Sequence, residues 1–152
     1  MRFSFYSKDV GFDGELCYIQ DEHSLLYKPH NTNIGVTIQW GTYTGLDTIC
    51  ETSEIVHISG FSPKGAWIKK TLDFPASKKG CLFVHFDMPP AKGTAIEYGE
   101  YWETYYDDEK QLICIGDSHI ENGDDCVEFA NNIIAVLRDG DVIAIFAKIK
   151  EV

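Results

Sequence analysis

The chain has 152 residues, a formal net charge of −11 and 44% hydrophobic residues. That length suits a single domain able to build its own core without disulfides or metal. The negative balance excludes the basic footprint that nucleic-acid binding needs, and no apolar run approaches the roughly 20 residues of a membrane-spanning helix.

The opening residues, MRFSFYSKDVGFDGELC, carry no long apolar stretch and no small-residue cleavage site, so no signal peptide is read there. Phe3 and Phe5 alternate with polar neighbours as in a strand, and residues 11–14 (GFDG) turn the chain. Residues 15–20 (ELCYIQ) and 24–28 form two further strands, the second ended by Pro29, which offers no donor to a ladder. In residues 34–40 (IGVTIQW), Ile34, Val36, Ile38 and Trp40 share one face, the pattern of a half-buried strand. Residues 41–45 are turn material. The one candidate helix covers residues 44–51, where Thr44 and Asp47 have capping-box spacing ahead of a short apolar stripe.

Residues 54–61 and 66–74 return to strand, separated by the Ser62-Pro63-Lys64-Gly65 turn. Residues 76–80 (ASKKG) predict a polar hairpin loop, and residues 81–86 (CLFVHF), apolar on both faces apart from His85, a central strand. Residues 100–106 (EYWETYY) alternate, with Tyr101, Glu103 and Tyr105 opposite Trp102, Thr104 and Tyr106. Residues 107–110 turn into a strongly apolar strand at 111–116, followed by an acidic loop at 117–125. Three strands close the chain, at 127–129, 133–137 and 142–150, joined by Asn131-Asn132 and by Asp139-Gly140, a strong hairpin signal. Ten to twelve short strands, roughly 8–12 residues apart, predict an all-β or β-rich α+β domain. The expected form is an antiparallel sandwich or open barrel with at most one or two short helices.

The five cysteines, Cys17, Cys50, Cys81, Cys114 and Cys126, are odd in number and form no C-x-x-C pair. They read as free thiols in a reducing compartment, too widely spaced for zinc. The charge is concentrated. Residues 97–128 hold eleven acids and one base, a net −10 of the total −11.

Several groups could carry chemistry. Residues 112–118 (LICIGDS) resemble the opening block of the SGNH/GDSL hydrolases, whose serine is the nucleophile. Here the late D-x-x-H that supplies the base is missing, and the histidine after Ser118 is its neighbour His119, so Ser118 reads as a turn residue. Asp117, Glu121, Asp124 and Asp125 are hard oxygen ligands in one loop, but without EF-hand spacing they read as a solvated acidic loop and not a metal site. His57 and His85 read as sheet histidines with hydrogen-bond partners; a catalytic pocket around either is the alternative. No cofactor is implied.

Of the aromatic residues Trp40, Trp67, Tyr98, Tyr101, Trp102, Tyr105 and Tyr106, which mostly read as core and cross-strand pairs, those at 98–106 are interleaved with acids, with Glu103, Asp107 and Asp108 nearby. Aromatic anchors within a negative field suit a basic protein partner. The expected partner face comprises Tyr101, Trp102, Glu103, Tyr105, Tyr106, Asp107, Asp108, Asp117, Glu121, Asp124 and Asp125.

The C-terminal third, YYDDEKQLICIGD followed by VEFANNIIAVLRDGDVIAIFAKI, resembles a β-meander of small bacterial domains. There a Tyr-Asp pair precedes an apolar strand, and an Asp-Gly turn joins two final apolar strands. With the small size, acidity and free cysteines, the chain resembles immunity proteins of bacterial toxin systems. That resemblance implies a cytoplasmic protein that blocks a cognate toxin, often a basic nuclease, by binding it. It assigns no functional residue. The alternatives are a small enzyme built around His57 or His85 with a carboxylate, and a carbohydrate-binding sandwich using the tryptophans. Five unpaired cysteines fit the second poorly.

Overall fold

In a computed structural model, the described residues are 1–8, 13–41 and 43–152. They form an all-β domain of fourteen strands: β1 (Arg2–Ser7), β2 (Glu15–Ile19), β3 (Ser24–Lys28), β4 (Ile34–Gln39), β5 (Thr44–Ile49), β6 (Glu54–Phe61), β7 (Ile68–Lys69), β8 (Lys78–His85), β9 (Thr94–Glu97), β10 (Thr104–Asp107), β11 (Leu112–Gly116), β12 (Asp125–Ala130), β13 (Ile133–Arg138) and β14 (Asp141–Glu151). Two single-turn 3₁₀ segments, Gln20–Glu22 and Lys64–Ala66, are the only helical elements among the described residues. No helix there is long and apolar enough to cross a membrane.

Seven strands pair in a ring, in the order β8, β12, β13, β14, β2, β3, β6 and back to β8. Hairpin pairing explains most of it, but the sheet is mixed and not purely antiparallel. Parallel ladders join β14 to β2, β12 to β8, β4 to β9 and β10 to β7. The long β14 is the spine. Its first half lies between β13 and β11, and its last three residues pair with β2. The Asp139-Gly140 turn has positive φ at both residues (53° and 82°), as a two-residue hairpin requires.

Period-two alternation sorts the C-terminal strands onto two cores. Ile113, Ile115, Ile133, Ala135 and Ile145 enter the main core inside the ring. Leu112, Cys114, Ile134, Val136 and Phe146 face outward, beneath Leu72 and Phe74. Both faces are covered, so these strands read as continuous apolar runs.

Several local expectations change. Residues 44–51 are no helix. Thr44–Ile49 is a strand paired on both edges by β4 and β6, because the short stripe could not bury a helix, whereas a doubly paired strand buries five residues in a row. Residues 66–74 shrink to a two-residue β7, and residues 70–74 become the irregular cover of the outer core. The loop expected at 76–80 is half strand, since Lys78 and Lys79 pair in parallel with Val127 and Glu128. β8 alternates between buried and half-exposed positions instead of burying both faces. β9, in a stretch not read as strand, adds to the edge of β4. The turn expected at 11–14 begins outside the described residues, as does Thr42 of the turn at 41–45.

Candidate functional site

Residues 98–103 leave the sheet after β9 and lie across strand ends. Three backbone hydrogen bonds hold them there: Tyr98 N–H to Gln39 O (2.7 Å), Trp102 N–H to Trp40 O (3.2 Å) and Gly116 N–H to Glu103 O (3.0 Å). Trp102 stacks on the fully buried Trp40, with ring centroids 4.6 Å apart and planes 10° off parallel. Tyr98 meets Trp102 and Phe3 edge-on. Gly116 makes this close approach possible. It sits at φ 105°, and a Cβ there would lie 2.5 Å from Ile143 O and 2.9 Å from the Trp102 ring.

The result is an open cleft of about 600 Å³ whose lining includes Tyr98, Tyr101, Trp102 and Tyr105 together with Glu103, Asp117 and Asp141. No lysine or arginine lines it. The Tyr98 hydroxyl donates to Asp141 at 3.1 Å, and burial, aided by that carboxylate, raises its pKa to about 12. It therefore remains a hydrogen-bond donor at neutral pH. Tyr101, 57% exposed, also borders a second, more apolar cleft of about 200 Å³ with Tyr43, Phe61, Pro63 and Trp67.

The eleven residues expected to form one face divide into three groups. Tyr101, Trp102, Glu103, Tyr105 and Asp117 meet at the acidic cleft. Tyr106 and Asp107 are buried parts of the framework. The Tyr106 ring packs against Trp67 and lies under the Lys64 ammonium. Asp107 accepts from Leu72 N–H at 2.9 Å and from Lys110 N–H at 3.2 Å, pinning the 70–74 cover over the outer core. The Leu72 bond first, then Lys110, holds its pKa below the usual carboxylate range. Asp108 is exposed and accepts from the Tyr106 hydroxyl at 2.9 Å. Tyr98 belongs to the aromatic cluster expected from the sequence, although not to the eleven-residue face. Asp141, Tyr43 and Phe61 have no such signal and reach the site only through pairing of distant strands.

The third group is the 117–125 loop, whose cation is internal. The Arg138 guanidinium forks onto Asp124 through Nε (2.8 Å) and Nη2 (2.7 Å), and lies 3.8 Å from Asp117 and 3.6 Å from Glu121. Asp125, in β12, is exposed and outside this cluster. No group of three or more residues suited to a metal ion occurs among the described residues. The Arg138 hydrogen bond lowers the Asp124 pKa to about 2. A depressed carboxylate pKa stabilises the fold above the unfolded value and loses that stabilisation as pH falls through the folded one. Stability should therefore decline between about pH 4 and pH 2. Asp124→Asn should flatten that decline and cost about 1–2 kcal/mol at neutral pH, after discounting for solvent screening. Denaturant unfolding measured from pH 2 to 6 checks both; an unchanged acid limb in the variant would show that other carboxylates control it.

His57 is buried and fully engaged. Its Nδ1 lies 2.9 Å from Asp47, and its Nε2 takes Asn31 N–H at 3.2 Å. Ser59 donates to the same carboxylate at 2.5 Å and Thr37 at 3.3 Å. Neither His57 nor Asp47 lines either cleft. His85 is exposed and pairs with Ser4 Oγ at 2.6 Å; it borders a pocket with Cys50 that no carboxylate lines among the described residues. Ser118 Oγ receives the Lys70 ammonium at 2.5 Å. The five cysteines are free. Burial raises the Cys114 pKa to about 12 and shifts Cys126 upward as well, which suppresses the reactive thiolate. No family model and no curated protein matches the sequence.

Proposed function

We propose that this protein is a cytoplasmic binding protein of the immunity type, which neutralises a basic protein partner by covering it with the Tyr101 face. The observation that carries this reading is the acidic cleft, where four aromatic rings and three carboxylates converge and no basic side chain lines the wall. Desolvated aromatic anchors supply affinity, and the surrounding negative field speeds encounter with a positive surface. The free thiols fit a reducing compartment.

The test is affinity capture from the source cell and co-expression with the product of the neighbouring gene, at low and high salt. Asp107 and Trp102 are unsuitable to vary because the framework needs them. Glu100→Lys/Glu103→Lys and Tyr101→Ala change exposed side chains only. The captured partner should be basic. The double charge reversal should weaken capture at least tenfold at low salt, with the difference shrinking as salt screens the field over about 8 Å. Capture of neutral or acidic partners, or indifference to the charge reversal, would defeat the proposal.

A further inference from the structure

We infer that the acidic cleft is a receptor for an arginine side chain, presented by the partner and seated between Tyr101 and the Glu103, Asp117 and Asp141 carboxylates. This rests on the binding-protein reading above and names the group that the partner must supply.

Charge and ring chemistry select a cation. Three carboxylates and four aromatic rings line one cleft with no lysine or arginine among them. Two bases border it and are already engaged: the Lys70 ammonium lies 4.8 Å from the centroid of the Tyr105 ring and donates to Ser118, and Arg138 lies 3.8 Å from Asp117, so the open part of the cleft is the Tyr101–Glu103 side. Two of the carboxylates are partly engaged, Asp141 by the Tyr98 hydroxyl and Asp117 by Arg138 at 3.8 Å. The Glu103 carboxylate has no hydrogen bond or ion pair among the described residues. It is the acid most open to a newcomer.

Shape and geometry select arginine. A planar guanidinium lies flat on an aromatic ring while its edge forks onto carboxylates, and it sheds water more easily than an ammonium. Tyr101 is more than half exposed and offers such a ring beside Glu103. The fold already uses this chemistry next door, where Arg138 sits among Asp117, Glu121 and Asp124. The cleft is open along one side, so a free small cation would remain largely solvated. A side chain carried on a protein surface brings its own cover and excludes that water.

The test uses a capped pentapeptide with one central arginine, titrated into the ¹⁵N-labelled protein at low salt. Matched peptides carry lysine or citrulline at that position. The arginine peptide should bind with a Kd in the range of about 1–10 mM, normal for a single side chain. Its shifts should centre on Tyr101, Trp102, Glu103 and Gly116. Lysine should bind at least threefold more weakly, and neutral citrulline should not bind measurably. Glu103→Gln and Tyr101→Ala should each weaken the arginine peptide at least threefold while leaving the rest of the spectrum in place. Equal binding of the arginine and citrulline peptides, or shifts centred elsewhere, would overturn the inference. If the arginine peptide fails while partner capture stays charge-dependent, this inference falls and the binding-protein reading survives. If partner capture loses its charge dependence, that reading falls by itself.

Discussion

Trp40→Ala should cost about 3–5 kcal/mol of folding stability, the range for deleting a fully buried large aromatic side chain. Trp40 has no exposed surface and supports Trp102 through a near-parallel stack. Its removal opens a void under the segment that carries Tyr98, Tyr101 and Trp102. Trp40→Phe should cost less than about 2 kcal/mol. It keeps most of the ring, and the indole N–H it deletes meets no acceptor among the described residues, so no buried hydrogen bond is lost. Guanidinium unfolding gives both values, and near-ultraviolet circular dichroism reports whether the coupled indole pair has gone. A loss below about 2 kcal/mol for Trp40→Ala would mean that the chain around it collapses freely, and that the cleft wall is not held in the way described.

Asp47→Ala is the second large effect, about 2–4 kcal/mol, the cost of leaving its donors without an acceptor. Asp47 and His57 are only 3% and 2% exposed. The carboxylate accepts from His57, Ser59 and Thr37 together, so its removal strands one buried and two half-buried donors. The hydrogen-bond network places the imidazole proton on Nδ1, because Nε2 accepts from Asn31 N–H. Asp47→Asn keeps an acceptor oxygen and should lose less than Asp47→Ala. A double-mutant cycle with His57→Ala should give a coupling of about 1–3 kcal/mol. Additive single and double variants would show that the pair is merely adjacent. The cluster ties β4, β5 and β6 together, which is why His57 serves the framework and lines neither cleft.

The strand-rich class, the free thiols and the final hairpin were legible because each rests on local chemistry. The Asp139-Gly140 pair adopts positive φ wherever two strands must turn tightly, and the flanking apolar runs supply those strands. The registers of β11, β13 and β14 were not legible, because strands buried on both faces carry no polar alternation to fix them. The helix expected at residues 44–51 failed for a nonlocal reason. β4 and β6 satisfy both backbone edges of that segment, and Asp47 takes side-chain donors from both of those neighbours.

The site was only half legible. An acidic, aromatic stretch between residues 97 and 128 is plain in the sequence, since charge and ring content need no fold to be counted. Its division is not. Alternation gave no warning that Tyr106 and Asp107 turn inward, because that depends on the 70–74 segment crossing over the outer sheet to meet them. Nor could spacing show that Arg138, far along the chain from Asp117, sits among Asp117, Glu121 and Asp124 and offsets part of the loop's charge. Composition and periodicity determined the class of fold and the sign of the surface. Long-range strand pairing decided which acids remain open to a partner, because only the tertiary structure seats Arg138 among Asp117, Glu121 and Asp124, pins Asp107 under the 70–74 cover and brings Tyr98 onto Asp141.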